Sequence, residues 1–186
     1  MVPVDVLGVQ LSGDTATPVV LLREIAEPHR IVPVVVGGNE ALAIAFGLQG
    51  VETPRPLTHD LFVDVLAQTS TTVGGVTITE VRDGAFVAEL VLDGPQGARV
   101  LDSRPSDAIA IAVRVHAPLF IAADVLDAAG MLPAAEDDTF EELIEAILDG
   151  DPDDAMDEPV DDATADALVD EFRSFLDDVD PSDFAG

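Results

Sequence analysis

Apolar residues fall along this chain in short runs broken by turn-forming clusters, with stretches at helical spacing between them. Residues 4–10 and 18–24 are two such runs, separated by Ser12-Gly13-Asp14-Thr15, a β-hairpin signal. The run Ile31-Val32-Pro33-Val34-Val35-Val36 reads as a strand, and Pro33 points to a sheet edge or a bulge. Gly37-Gly38 ends it, and Asn39 is placed to cap a helix over 40–48. After the break at Thr53-Pro54-Arg55-Pro56, a second helix is predicted over 57–68, with Thr58 as its cap. Its apolar face is Leu57, Leu61, Phe62, Val65 and Leu66. Residues 72–81 and 85–92 form a second hairpin around Arg82-Asp83-Gly84. A strand over 98–101 leads through Asp102-Ser103-Arg104-Pro105-Ser106-Asp107 into a helix over 108–115. Residues 119–121 then give a closing strand and 123–129 a short helix.

Two of these stretches match. Glu40-Ala-Leu-Ala-Ile-Ala-Phe46 lies over Asp107-Ala-Ile-Ala-Ile-Ala-Val113 at a constant offset of 67 residues, each after a hairpin, a strand and a turn. One reading is a duplicated βββα unit with the 57–68 helix between the copies; the other is chance likeness of two Ala/Ile-rich helices. The alternation of Ala with Leu or Ile suggests helices buried on several sides. Beyond 133 the pattern changes. Phe140, Leu143, Ile144 and Ile147 make an amphipathic helix within 139–148. A solvated linker runs to 162, and Leu168, Val169, Phe172, Phe175, Leu176 and Val179 mark a second helix. That helix has too little apolar surface to fold alone and needs a surface to dock on. The expected fold class is α+β: internally duplicated βββα units on a mixed or antiparallel sheet in residues 1–133, then an acidic helical tail in 134–186.

Composition narrows the function classes. Of 186 residues 48% are hydrophobic, enough for a core, and there is no cysteine. That excludes a disulfide scaffold, a thiol nucleophile and Cys-based zinc or iron–sulfur sites. No apolar run approaches the ~18–20 residues of a membrane span, and the N-terminus lacks the basic region of a signal peptide. A cytoplasmic protein is expected. Acids number 37 against eight bases, a net charge of −29; all eight bases are Arg. From Glu136 onward there are 21 acids and one Arg. An Asp-rich, Lys-free surface suits a high-salt cytoplasm, where the Debye length falls to ~3 Å at molar salt. The alternative is a moderate-salt protein with an acidic regulatory tail.

Three clusters carry candidate chemistry. The junction at 102–107 offers free helix N–H groups and a positive dipole end to an anion, with Arg104 as a clamp; alternatively Ser103 simply caps the helix. The segment Pro54-Arg55-Pro56-Leu57-Thr58-His59-Asp60 places an Arg, a His and an Asp within about one turn. His29 and His116 read as ordinary turn residues. Glu40 and Asp107 are equivalent under the repeat, so packing around a pseudo-twofold brings two carboxylates together. Two charges at ~4 Å repel by about 4 kcal/mol at an effective dielectric near 20. A Mg²⁺ or Mn²⁺ ion, a shared proton or a nearby Arg must relieve that; otherwise the two acids cap their own helices and never meet. Walker-type phosphate loops, dinucleotide fingerprints and the common hydrolase motifs are absent. With no Trp or Tyr, stacking on bases looks poor.

Pro54-Arg-Pro-Leu-Thr-His-Asp-Leu61 and Asp102-Ser-Arg-Pro-Ser-Asp-Ala-Ile109, in that order, resemble the motifs of the bifunctional nuclease family. Val32-Pro-Val-Val-Val-Gly-Gly-Asn-Glu40 and Ala117-Pro-Leu-Phe-Ile121 fit as well, so the likeness spans about residues 2–132. The resemblance implies an oligomeric α+β domain, a homodimer or larger, acting on DNA and RNA. By that analogy Glu40, Arg55, His59, Asp60, Ser103, Arg104, Ser106 and Asp107 are the site candidates. The roles assigned to them are Glu40 and Asp107 as ligands of Mg²⁺ or Mn²⁺, and His59 as general acid or base beside Asp60 and Asp107. Arg55, Ser103, Arg104 and Ser106 hold phosphate. The expected function is metal-assisted cleavage of nucleic-acid phosphodiesters. A net charge of −29 opposes tight polyanion binding, and the alternative is a non-enzymatic module for a small anion or a partner protein.

Overall fold

A computed structural model describes residues 1–12, 17–51, 53–82 and 84–132 of the chain. In order they form β1 (Val2–Ser12), β2 (Thr17–Glu24), β3 (Ile31–Val35), α1 (Gly38–Gln49), α2 (Thr58–Gln68), β4 (Thr72–Arg82), β5 (Ala85–Gly94), β6 (Gly97–Ser103), α3 (Pro105–Val115), β7 (Leu119–Ile121) and α4 (Ala123–Ala129). The two amphipathic segments expected in the tail lie outside the described residues.

The strands make one mixed sheet in the order β3-β2-β1-β7-β4-β5-β6. Pro33 lies in β3, an edge strand, where a missing N–H costs least. The short run 119–121, read as a closing strand, sits instead at the centre of the sheet. It pairs antiparallel with β1 through Val4↔Leu119 and parallel with β4 through Val76↔Leu119. On either side of β7 lies a three-stranded antiparallel meander followed by a helix, β1-β2-β3-α1 and β4-β5-β6-α3. Gly84, with φ of 80°, supplies the left-handed backbone that the β4–β5 turn requires.

Val20, Leu22, Val32, Ile44, Val76, Ile78, Leu90, Ile109, Ile121 and Leu126 form the core between sheet and helices. Each fully buried aliphatic side chain contributes roughly 1.5–3 kcal/mol. Alternation of Ala with Ile does in α3 what the sequence suggests: Ala108, Ile109, Ala110 and Ala112 are wholly buried, with α1, α2, β4 and β5 packed around them. In α1 only Ala41, Ala43 and Ile44 are buried, and Leu42 faces solvent. Gly47 lets the two helices approach, since a Cβ there would sit 2.6 Å from Val113 Cγ2 and 2.9 Å from an Arg114 Nη.

Several local expectations need correction. The N-cap of α1 is Gly37 rather than Asn39, and that of α2 is Leu57 rather than Thr58. For α3 it is Arg104 rather than Ser103, and Pro105 takes the first helical position, where its missing N–H is harmless. The α2 face is also rotated: Leu66 is buried and Phe62 and Val63 are half-buried, while Leu57, Leu61 and Val65 are exposed. His29 and His116 occupy left-handed turn positions, His116 ending α3.

Candidate functional site

The N-terminal ends of α1, α2 and α3 each contribute polar side chains to one hydrogen-bonded cluster. Asp107, in the first turn of α3, is its hub. Arg104 Nε donates to Asp107 Oδ2 at 2.8 Å, and one Arg104 Nη donates to Asp107 Oδ1 at 3.3 Å. The same Nη lies 3.1 Å from Glu40 Oε1 of α1. His59, in the first turn of α2, donates from Nε2 to Asp107 Oδ1 at 3.2 Å. Glu40, His59 and Asp107 are therefore brought together, Glu40 and Asp107 through the guanidinium they share. Of the three ways to relieve two neighbouring carboxylates, the structure uses an Arg.

The electrostatics follow from these contacts. Burial by itself would raise the Asp107 carboxyl, but hydrogen bonds from Arg104 and His59 and their charges outweigh it, leaving its pKa below the ordinary value. Asp107 is thus an anion at neutral pH and accepts only. The His59 hydrogen that it receives sits on Nε2, so in the neutral ring the lone pair lies on Nδ1. The His59 side chain is 16% exposed, whereas Arg104 is 67% exposed and its other Nη has no partner among the described residues. The cluster is a recessed imidazole–carboxylate pair beneath an outward guanidinium.

Asp60 stands one residue from His59 but does different work. Its Oδ1 receives Arg114 Nε at 2.5 Å, and its Oδ2 receives the Leu57 backbone N–H at 2.9 Å. The hydrogen bond from Arg114 is the main cause of a carboxyl pKa below the ordinary value. Arg114, 8% exposed, also donates to the carbonyls of Ala110 (2.7 Å) and Ala43 (2.9 Å). One guanidinium thereby ties α2 to α3 and α1. Sequence reasoning missed this residue, although a signal was present: Arg114 is the one charged residue in the apolar stretch 108–115.

The remaining candidates divide. Ser106 is 7% exposed, and its hydroxyl has no protein partner among the described residues. Ser103 bonds through its Oγ to the Arg104 carbonyl at 3.1 Å and takes no part in the cluster. Arg55 is exposed, and among the described residues its guanidinium has no hydrogen-bond or ion-pair partner. Its carbonyl accepts from Thr53 Oγ1 at 2.6 Å. An open depression of about 280 Å³ is lined by Val51, Thr53, Pro56, Asp60 and Asp64, and none of the cluster residues lines it. Among the described residues no three His, Asp or Glu side chains are grouped to hold a metal ion. No helix among them is long and apolar enough to cross a membrane.

A small α+β domain that gathers His, Asp and Arg at converging helix starts defines a class suited to acid–base work on an anion. The chain belongs to the family described as the bifunctional nuclease domain, whose model matches residues 20–133. It is also similar to two uncharacterized proteins from two strains of Mycobacterium tuberculosis. Each is 38% identical over 181 residues, covering 97% of this chain and 96% of the relative.

Proposed function

We propose that this protein cleaves phosphodiester bonds in nucleic acid, with His59, Asp107 and Arg104 as the working residues. The observation that carries the reading is the His59–Asp107 hydrogen bond beneath an exposed guanidinium. Asp107 orients the imidazole so that Nδ1 is the base. As an attacking water or hydroxyl forms its bond to phosphorus, Nδ1 takes the proton. The P–O bond to the leaving group breaks, and the alkoxide recovers a proton from solvent. Arg104 and the first N–H groups of α3 face the charge that builds on the phosphoryl oxygens, with the Ser106 hydroxyl as a further donor. Asp60 is a positioning residue, holding the first turn of α2 through Arg114.

A divalent cation is a second reading, favoured by Glu40 and Asp107 sharing one positive group. As arranged, those residues do not fit Mg²⁺ or Mn²⁺, because the Arg104 guanidinium occupies the place between the carboxylates. An ion would have to displace it, so no step is routed through one. The test is cleavage of labelled single-stranded DNA and RNA oligonucleotides by the full chain, in Mg²⁺, in Mn²⁺ and in EDTA. Activity in EDTA that falls at least tenfold in Arg104→Ala supports the arginine reading. Activity only with metal supports the cation. Binding of oligonucleotide without cleavage under any condition would leave an anion-binding module.

A further inference from the structure

Resting on that reading, we infer that the substrate of this site is a short oligonucleotide, in the limit a dinucleotide with one phosphodiester, and not a long nucleic-acid strand. The argument is an inventory of positive charge. The chain holds eight Arg and no Lys, and seven of the eight fall among the described residues. Arg114 is buried and committed to Asp60 and two carbonyls. Arg30 is shared between Glu24 and Asp127, Arg82 is paired with Glu80, and Arg99 donates to Gln96 at 2.5 Å. Arg23 lies on β2 directly across from Asp5. At the cluster the outward cation is Arg104, with one Nη that has no partner among the described residues; Arg55, exposed and likewise unpartnered among them, stands four residues before His59 in the chain. That is enough for one phosphate and one neighbour.

Among the described residues a strand of many phosphates finds few further cations without an acidic partner: Arg99, bonded to the neutral Gln96, and Arg23, each on a strand away from the helix starts of the cluster. The depression next to Asp60 offers Val51 and Pro56 as apolar walls, but its lining includes no Arg, and its Asp64 repels a continuing backbone. Stacking does not compensate, because the chain lacks Trp and Tyr and the four described Phe residues, Phe46, Phe62, Phe86 and Phe120, are all half-buried. Proteins that track a strand neutralise several phosphates, each adding about 0.7 to the slope of log affinity against log salt for single strands. One or two contacts give a slope of about −1.

The experiment compares kcat/KM per bond for a dinucleotide and a 20-mer of the same sequence step, using the full chain. Salt is varied over a range in which circular dichroism shows it folded. The expected result is a dinucleotide cleaved at least as well per bond as the 20-mer, with a salt slope no steeper than −2 for either. A 20-mer preferred by more than threefold, or a steeper slope, overturns the substrate-length inference while leaving the nuclease reading intact. Cleavage of neither substrate overturns both.

Discussion

Replacing Asp60 by Ala removes the charge partner of a guanidinium that is almost completely enclosed. Arg114 keeps its bonds to the Ala43 and Ala110 carbonyls, but neither carries a formal charge. Breaking a fully buried pair from one side costs about 3–5 kcal/mol. Asp60 is 36% exposed, so water reaches the vacated space and the lower end applies. Loss of the acceptor for the Leu57 N–H adds about 1 kcal/mol. The expected destabilisation is about 3–4 kcal/mol, a large part of the ~5–15 kcal/mol available to a domain. Arg114→Met retains much of the volume and frees a carboxylate that can turn to water, so about 2 kcal/mol is expected. The double variant should cost at least 1 kcal/mol less than the sum of the singles, because no orphaned charge remains. Urea unfolding followed by circular dichroism measures all four corners of this cycle. A loss under 1 kcal/mol for Asp60→Ala, or strict additivity, would refute the view that this pair anchors α2.

Other expectations follow from the same contacts. Asp60, Asp107 and Glu24 all have carboxyl pKa values below their ordinary ones, and Glu24 owes this chiefly to its hydrogen bond from Arg30. Groups shifted this way add stability that is complete above the unfolded-state value of about 4 and is lost as pH falls through the folded-state values. Thermal melts should therefore show a midpoint falling steeply below about pH 4; an unchanged midpoint down to pH 2.5 would contradict the network. Gly47→Ala should destabilise by about 1–3 kcal/mol by pushing α1 away from Val113 and Arg114, measured as a urea midpoint. Ile109→Ala, at a wholly buried position, should cost about 2–5 kcal/mol in the same assay.

The fold was largely legible because strand runs and turn signals are local. The hairpins, the edge position of Pro33 and the buried character of α3 follow from neighbouring residues. The place of β7 was not legible, since three residues between two helices carry no trace of their partners, and only the closed sheet shows them bridging β1 and β4. Helix starts slipped because Ser, Thr and Asn are favoured caps on average, yet Gly37, Leu57 and Arg104 hold those positions here. The matching stretches raised convergence of Glu40 and Asp107 as one of two open readings, and nothing in them singled out Arg104 as the group that joins the two acids. Arg114 escaped notice because its carboxylate lies 54 residues away, on another helix.

The central claim is that His59 supplies the base for phosphodiester cleavage, and His59→Gln tests it most directly. General acid–base catalysis contributes typically 10²–10⁴-fold. The account expects a folded variant whose single-turnover cleavage of a dinucleotide is at least 100-fold slower than that of the unaltered protein. A folded variant within threefold of the original rate would contradict it.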